Sequence, residues 1–151
     1  MNLRCFVDAP ILIYLQDRAE ARKRAMARHS LRSIRRNAEL VVSPATLTDL
    51  YGLARRRFPT VQRDLVRNYV HDLLPACRSV GTSDLLDRAF RIEDRLGLSW
   101  AQCLTFAAAA AADCRLLVSE DLEDGLAVER TLVVNPFVTD IETVFTSLKD
   151  R

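Results

Sequence analysis

The stretch Cys5-Phe6-Val7-Asp8-Ala9-Pro10-Ile11-Leu12-Ile13-Tyr14 constrains this chain more than any other part of it. A β-favouring apolar run ends on a single carboxylate, and a second apolar run resumes through a proline. If Phe6 and Val7 close a buried strand, Asp8 stands where that strand leaves its sheet. Pro10 then suits the first position of a following helix, where its missing N–H is not needed. Open parallel sheets bind ligands in the crevice outside the carboxyl ends of their strands, so further carboxylates delivered to that edge become candidates for a site.

The 151 residues, 49% of them hydrophobic, can bury an ordinary core without staples, and a single domain over residues 1–151 is expected. No window approaches the ~20 uninterrupted apolar residues of a membrane span, and the N-terminus lacks the pattern of a secretion signal. A soluble, cytoplasmic protein with no membrane partner is therefore expected. Cys5, Cys77, Cys103 and Cys114 are scattered without a CxxC pair, which fits reduced, buried thiols better than a zinc site or a disulfide framework. Residues 1–67 carry fourteen Lys and Arg against six Asp and Glu, a net +8; residues 68–151 carry eight against fourteen, a net −6. A basic half can attract a polyanion through its phosphates. Nearly every base is Arg, with Lys only at positions 23 and 149, so a compositional bias toward Ala and Arg explains the asymmetry as readily.

Along the chain, residues 17 to about 38 read as an amphipathic helix with Ala21, Ala25, Leu31 and Ile34 inward. Leu40-Val41-Val42 is a short buried strand. Ser43-Pro44 supplies an N-cap and a first-turn proline for a helix reaching about Arg57, with Asp49 in its second turn. Val61–Leu74 makes another helix, ended by Pro75. A third strand is expected over Cys77–Val80, then a helix from Ser83 or Asp84 to Leu96 that Gly97 ends. Ser99 caps the next, Trp100–Asp113, whose alanines 107–112 leave it slim enough to lie close on a sheet. Arg115–Val118 and Thr131–Val134 are the fourth and fifth strands, separated by an acidic loop through Asp124 and Gly125, and residues 139–149 close the chain as a helix. Strands alternating with helices imply an α/β layer fold with a mainly parallel sheet. Four glycines and no glycine fingerprint argue against a nucleotide-cradling loop.

Asp8, Asp49 and Asp121 each fall just past a strand or early in the helix after it, so this topology can bring them together. Carboxylates sharing a site repel unless a hard divalent cation lies between them, and Mg²⁺ or Mn²⁺ prefers such oxygen ligands. A cation held this way can orient water and stabilise charge on a phosphoryl oxygen during phosphodiester hydrolysis. Helix-cap or surface roles explain any one of these acids equally well.

Phe6-Val7-Asp8-Ala9-Pro10-Ile11-Leu12-Ile13-Tyr14, Val42-Ser43-Pro44-Ala45-Thr46-Leu47-Thr48-Asp49-Leu50-Tyr51, Gly97-Leu98-Ser99-Trp100-Ala101-Gln102 and Leu117-Val118-Ser119-Glu120-Asp121-Leu122-Glu123-Asp124-Gly125 resemble, in order and spacing, the four blocks of the PIN domain, and VapC-type toxins in particular. Asn135-Pro136-Phe137 is similar to the closing strand of that family. The resemblance implies a three-layer α/β/α sandwich with a mainly parallel five-stranded sheet. It further implies a homodimer that cleaves RNA with Mg²⁺ or Mn²⁺ held by four acids, inhibited by a small antitoxin. Asp8 matches the first acid, Asp49 the second (more often Glu) and Asp121 the last; Ser43 and Ser119 match the polar positions flanking the site.

Two departures stand out. Pro10 replaces the asparagine that the family places two residues after its first acid. Gln102 replaces the third acid, so the site loses one negative charge. Glu120 and Asp124 are candidates to compensate, although a loop holds a ligand less firmly than a helix does. The sequence thus carries two readings: a metal-dependent endoribonuclease on Asp8, Asp49 and Asp121 with reduced activity, or an inactive PIN-fold module that binds an antitoxin-like protein or RNA. A phospho-acceptor receiver domain also places acids at strand ends but needs a lysine after a late strand, and Lys149 lies on the closing helix. Trp100 can stack on a base or pack the helix start, and His29 and His71 fall on charged helix faces away from the acids.

Overall fold

A computed structural model describes residues 2–150 of the chain. Five strands, β1 (Arg4–Val7), β2 (Glu39–Val41), β3 (Leu116–Val118), β4 (Ala127–Val128) and β5 (Thr131–Val134), form one sheet in the order β2-β1-β3-β5-β4. All pairs are parallel except the last, where β4 runs antiparallel along β5. Cys5, Phe6 and Val7 are buried in the middle of this sheet, as a run that is apolar on both faces requires.

Successive strand residues point to opposite faces, and each face carries its own core. Cys5, Val7, Leu116, Val118 and Val134 pack with α1 (Ala9–Tyr14), α2 (Ala21–Asn37), α3 (Pro44–Arg57), α4 (Arg63–Asp72) and α7 (Ile141–Lys149). Phe6, Val41, Leu117 and Val133 pack with α5 (Thr82–Leu96) and α6 (Trp100–Ala111). The result is the expected three-layer α/β/α sandwich. Among the described residues no helix is long and apolar enough to cross a membrane.

Helix boundaries follow local chemistry. Ser43 caps α3 in a reciprocal box with Thr46, with Pro44 at the first helical position. Gly97 stops α5 with φ 63°, a left-handed conformation that a Cβ would strain. The alanine run of α6 lets Ala107 and Ala109 reach full burial against the sheet beside Phe106. All four cysteines are free; burial pushes the Cys5 thiol well above its ordinary range and that of Cys114 up to about 12.

The strand expected over Cys77–Val80 does not form. A 3-10 turn at Leu74–Ala76 leads into a single parallel bridge between Cys77 and Val42, and the chain then leaves the sheet, with the Arg78 guanidinium drawn to Glu39. The fifth strand is instead β4, within the acidic loop after Asp121. The helix expected over Val61–Leu74 is shorter, because Phe58 to Gln62 is occupied by turns.

Ala109 tests how tightly α6 lies on the sheet. Ala109→Leu should lower stability by ~1–3 kcal/mol through overpacking, read as a fall in the urea midpoint at unchanged slope.

Candidate functional site

The parallel ladder runs past the formal strand ends. The Asp8 N–H donates to the Val118 carbonyl at 3.0 Å and the Ser119 N–H to the Val134 carbonyl at 3.1 Å, which aligns the exits of β1, β3 and β5 at the carboxyl edge. A cleft of about 470 Å³ opens there, lined among others by Asp8, Pro10, Asp49, Arg56, Gln102, Thr105 and Asp121. Three elements carry the acids: Asp8 leaves β1 as the N-cap of α1, Asp49 stands on α3, and Asp121 follows β3.

Ser119, fully buried, joins two of them. Its hydroxyl donates to Asp8 Oδ2 at 3.0 Å and accepts from the Asp121 N–H at 3.1 Å. Asp8 Oδ1 accepts from the Ala9 N–H at 2.9 Å. Asp8 is the most enclosed of the three acids, while Asp49 and Asp121 are exposed. Desolvation raises the Asp8 pKa from its ordinary 3.8; the hydrogen bonds from Ser119 and Ala9 oppose the rise, and the charges of Asp121 and Asp49 add to it. The cleft therefore holds negative charge that the protein itself does not neutralise at Asp8.

Gln102 lines the cleft with both ends of its amide engaged. Oε1 accepts from the Ser99 N–H at 3.0 Å while the Ser99 hydroxyl accepts from the Gln102 N–H at 3.2 Å, a reciprocal capping box that opens α6. Nε2 donates to the Asp121 carbonyl at 2.8 Å, a bond that no carboxylate could make. The Ser-x-x-Gln spacing was a visible signal for the cap; the tie to Asp121 was not visible.

The remaining sequence candidates have other partners. Glu120 turns to Lys23 at 2.9 Å and to the Tyr14 hydroxyl, and Lys23 also lies over the Tyr14 and Phe137 rings. Asp124 accepts from the Asn135 N–H and the Thr139 hydroxyl, both at 2.8 Å. Neither is among the residues lining the cleft. Ser43 acts as the α3 cap. Trp100 is stacked on Phe90 with ring centroids 5.4 Å apart, and His29 contacts Asp140 at 3.0 Å. Arg56 and Thr105 escaped the sequence reading. The signal was helical spacing, since 49, 52, 53 and 56 share one face of α3 and 101, 102 and 105 one face of α6.

Among the described residues no three His, Cys, Asp or Glu side chains form a ready-made cation cage. The cleft nonetheless offers carboxylate oxygens on three separate elements and no nitrogen or sulfur ligand. That donor set fits a hard cation which keeps several of its own waters, as Mg²⁺ does, and not a soft metal.

The PIN domain family model matches residues 5–123, and the chain belongs to that family. No curated protein matches it. Among solved structures, a toxin–antitoxin complex from Klebsiella pneumoniae aligns at TM-score 0.63 and 16% identity over 87% of this chain and 97% of that one. VapBC2 from Rickettsia felis, bound to a DNA fragment from its promoter, aligns at 0.62 and 10% over 87% and 97%. VapC20 of Mycobacterium tuberculosis, a toxin that cleaves the sarcin-ricin loop, aligns at 0.56 and 18% over 75% and 86%. At these identities the likeness is one of fold.

A carboxyl group whose folded pKa is raised favours the native state fully below its ordinary value, and that advantage is lost as pH rises through the raised value. Asp8→Asn removes the charge, so in chelator it should stabilise the protein at pH 7, and the gain should shrink toward nothing as pH falls below 3.8. Urea unfolding of both proteins across that range checks this.

Proposed function

We propose that this chain is a VapC-like PIN-domain protein: by lineage an Mg²⁺- or Mn²⁺-dependent endoribonuclease, with activity reduced because Gln102 stands at the third acid's position. The observation that carries the reading is the convergence of Asp8, Asp49 and Asp121 on one cleft at the carboxyl edge, with Asp8 and Asp121 joined through Ser119. These three acids would hold the cation, which when bound orients a water and stabilises charge on a phosphoryl oxygen. Ser119 fixes the direction of the Asp8 carboxylate. Gln102 fixes the backbone of Asp121 and so the start of the loop that carries it. Pro10 lines the same cleft without a side-chain donor or acceptor, which leaves Asp8 free of a neighbour on that side.

The second reading is a PIN-fold module without catalysis that binds an antitoxin-like protein or RNA. It is favoured by the engagement of both Gln102 amide groups inside the protein, which leaves the third ligand position already bonded. In either reading residues 1–151 act as one cytoplasmic PIN-like domain. The partners are a second copy of the chain and a small antitoxin; toxin–antitoxin complexes among the neighbours of like fold support the latter. Leu65 of α4, 60% exposed, stands beside Val61, Phe58 and Tyr69 in an apolar groove, a surface that suits an amphipathic segment.

Gln102→Asp separates the two readings. It restores an anionic oxygen ligand near a helix start, where both cation and helix dipole favour it, at the cost of the bond to the Asp121 carbonyl. The variant should bind Mn²⁺ ~10-fold more tightly or better and cleave RNA faster than the natural protein, and Asp8→Asn in that background should abolish the gain. Unchanged metal affinity and cleavage would overturn the nuclease reading in favour of the binding module. Sedimentation should show a two-fold dimer at micromolar concentration; a monomer at high micromolar concentration would count against self-association.

A further inference from the structure

The last turn of α3 carries three consecutive arginines, and the structure sends them to three different places. Arg57 Nε donates to the buried Asp17 at 2.7 Å. Arg55 Nη1 donates to the Val61 carbonyl at 3.2 Å, closing the loop after the helix. Arg56 points into the cleft. Among the described residues it makes no hydrogen bond and no ion pair, not even with Asp49 on the same helix face. Its side chain runs back along α3, so that Nη1 lies 3.5 Å from where a Cβ on Gly52 would stand. The guanidinium therefore rests over a glycine, one turn from Asp49.

Most of the other polar side chains around the cleft spend their donors inside the protein. The Thr48 hydroxyl donates to the Ala45 carbonyl at 3.0 Å and that of Thr105 to the Ala101 carbonyl at 3.1 Å. The Gln102 amide donates one of its two N–H groups to the Asp121 carbonyl, and the Ser119 hydroxyl donates to Asp8. Carboxylates at neutral pH only accept. An oligonucleotide entering this cleft would meet mostly acceptors, and among the lining residues Arg56 is the one cationic donor. Phosphate oxygens need donors, and a planar guanidinium supplies them in a fork that matches phosphate geometry.

We propose that Arg56 is a phosphate-binding residue, contacting the phosphodiester next to the one positioned at the acids and so holding a single-stranded RNA in register along α3. This rests on the nuclease reading for the identity of the ligand and extends it by naming the subsite. A favourable interaction of the last-turn arginines with the helix dipole accounts for their presence, but not for the direction of Arg56.

Binding to a fluorescein-labelled single-stranded oligouridylate, followed by anisotropy across a salt series in Mg²⁺, tests the subsite, with the strand confirmed intact on a denaturing gel. Loss of one phosphate contact on a single strand reduces the slope of log K against log salt by about 0.7. Arg56→Gln should show that reduction, while Arg56→Lys should retain most of the native slope. Arg91→Gln, on α5 outside the cleft, should leave the slope as it is. Circular dichroism should show all three folded, since both positions are exposed. An unchanged slope in Arg56→Gln, an equal loss in Arg91→Gln, or no oligonucleotide binding by the native protein at low salt each overturns the proposal; the last leaves a protein ligand as the cleft's occupant. Arg56-dependent binding without cleavage keeps the subsite and removes the nuclease reading. Cleavage with KM and salt slope indifferent to Arg56 does the reverse.

Discussion

The burial of β1 on both faces is the constraint from which the rest of this structure follows. With β2 on one side, β3 on the other and a helical layer above and below, no charge is tolerated between Cys5 and Val7. The first carboxylate therefore appears only where the strand ends. Backbone hydrogen bonding then carries the alignment one residue further on neighbouring strands, through Asp8 to Val118 and Ser119 to Val134. A site at the carboxyl edge is the consequence, because that is where the backbone stops requiring apolar side chains.

What occupies the edge is a compromise between repulsion and order. Asp8 is desolvated and faces the charges of Asp121 and Asp49, yet its geometry is fixed by a buried hydroxyl that also holds the Asp121 backbone. Gln102 adds order to the same loop by bonding the Asp121 carbonyl, and it does so with an N–H that an acid lacks. Gln102 is thus a structural tie between the start of α6 and the loop that carries Asp121. Other acids of the loop are held elsewhere: Glu120 is bound by Lys23 and Tyr14, and Asp124 fastens the turn after β5.

Most elements were legible because their causes are local. Ser43 followed by Pro44, Ser99 three residues before Gln102, and Gly97 after Leu96 each mark a helix end through bonds made within a few residues. The apolar triplets of β1, β3 and β5 read as buried strands for the same reason. Cys77–Val80 misled, since a short apolar and polar mixture becomes a strand only if a neighbour offers it a full edge, and here β2 offers a single bridge. In the opposite sense, β4 lies in an acidic loop with little strand character and exists because β5 presents a free edge to it.

The sequence by itself determined the main helices and the buried strands β1, β2, β3 and β5, carried the motif blocks of the PIN family, and set Asp8 and Asp121 just past strands and Asp49 early in a helix. The elements follow from periodicity and capping, which act over a few residues; the family follows from the motif blocks themselves. Only the tertiary structure decided which side chains share the cleft. Arg55, Arg56 and Arg57 are identical in type and adjacent in sequence, yet one closes a loop, one neutralises buried Asp17 and one faces the acids. Helix geometry turns successive residues by about 100°; Arg55 then meets Val61 close by, but what Arg56 and Arg57 meet depends on segments forty or more residues away, whose positions no local pattern encodes.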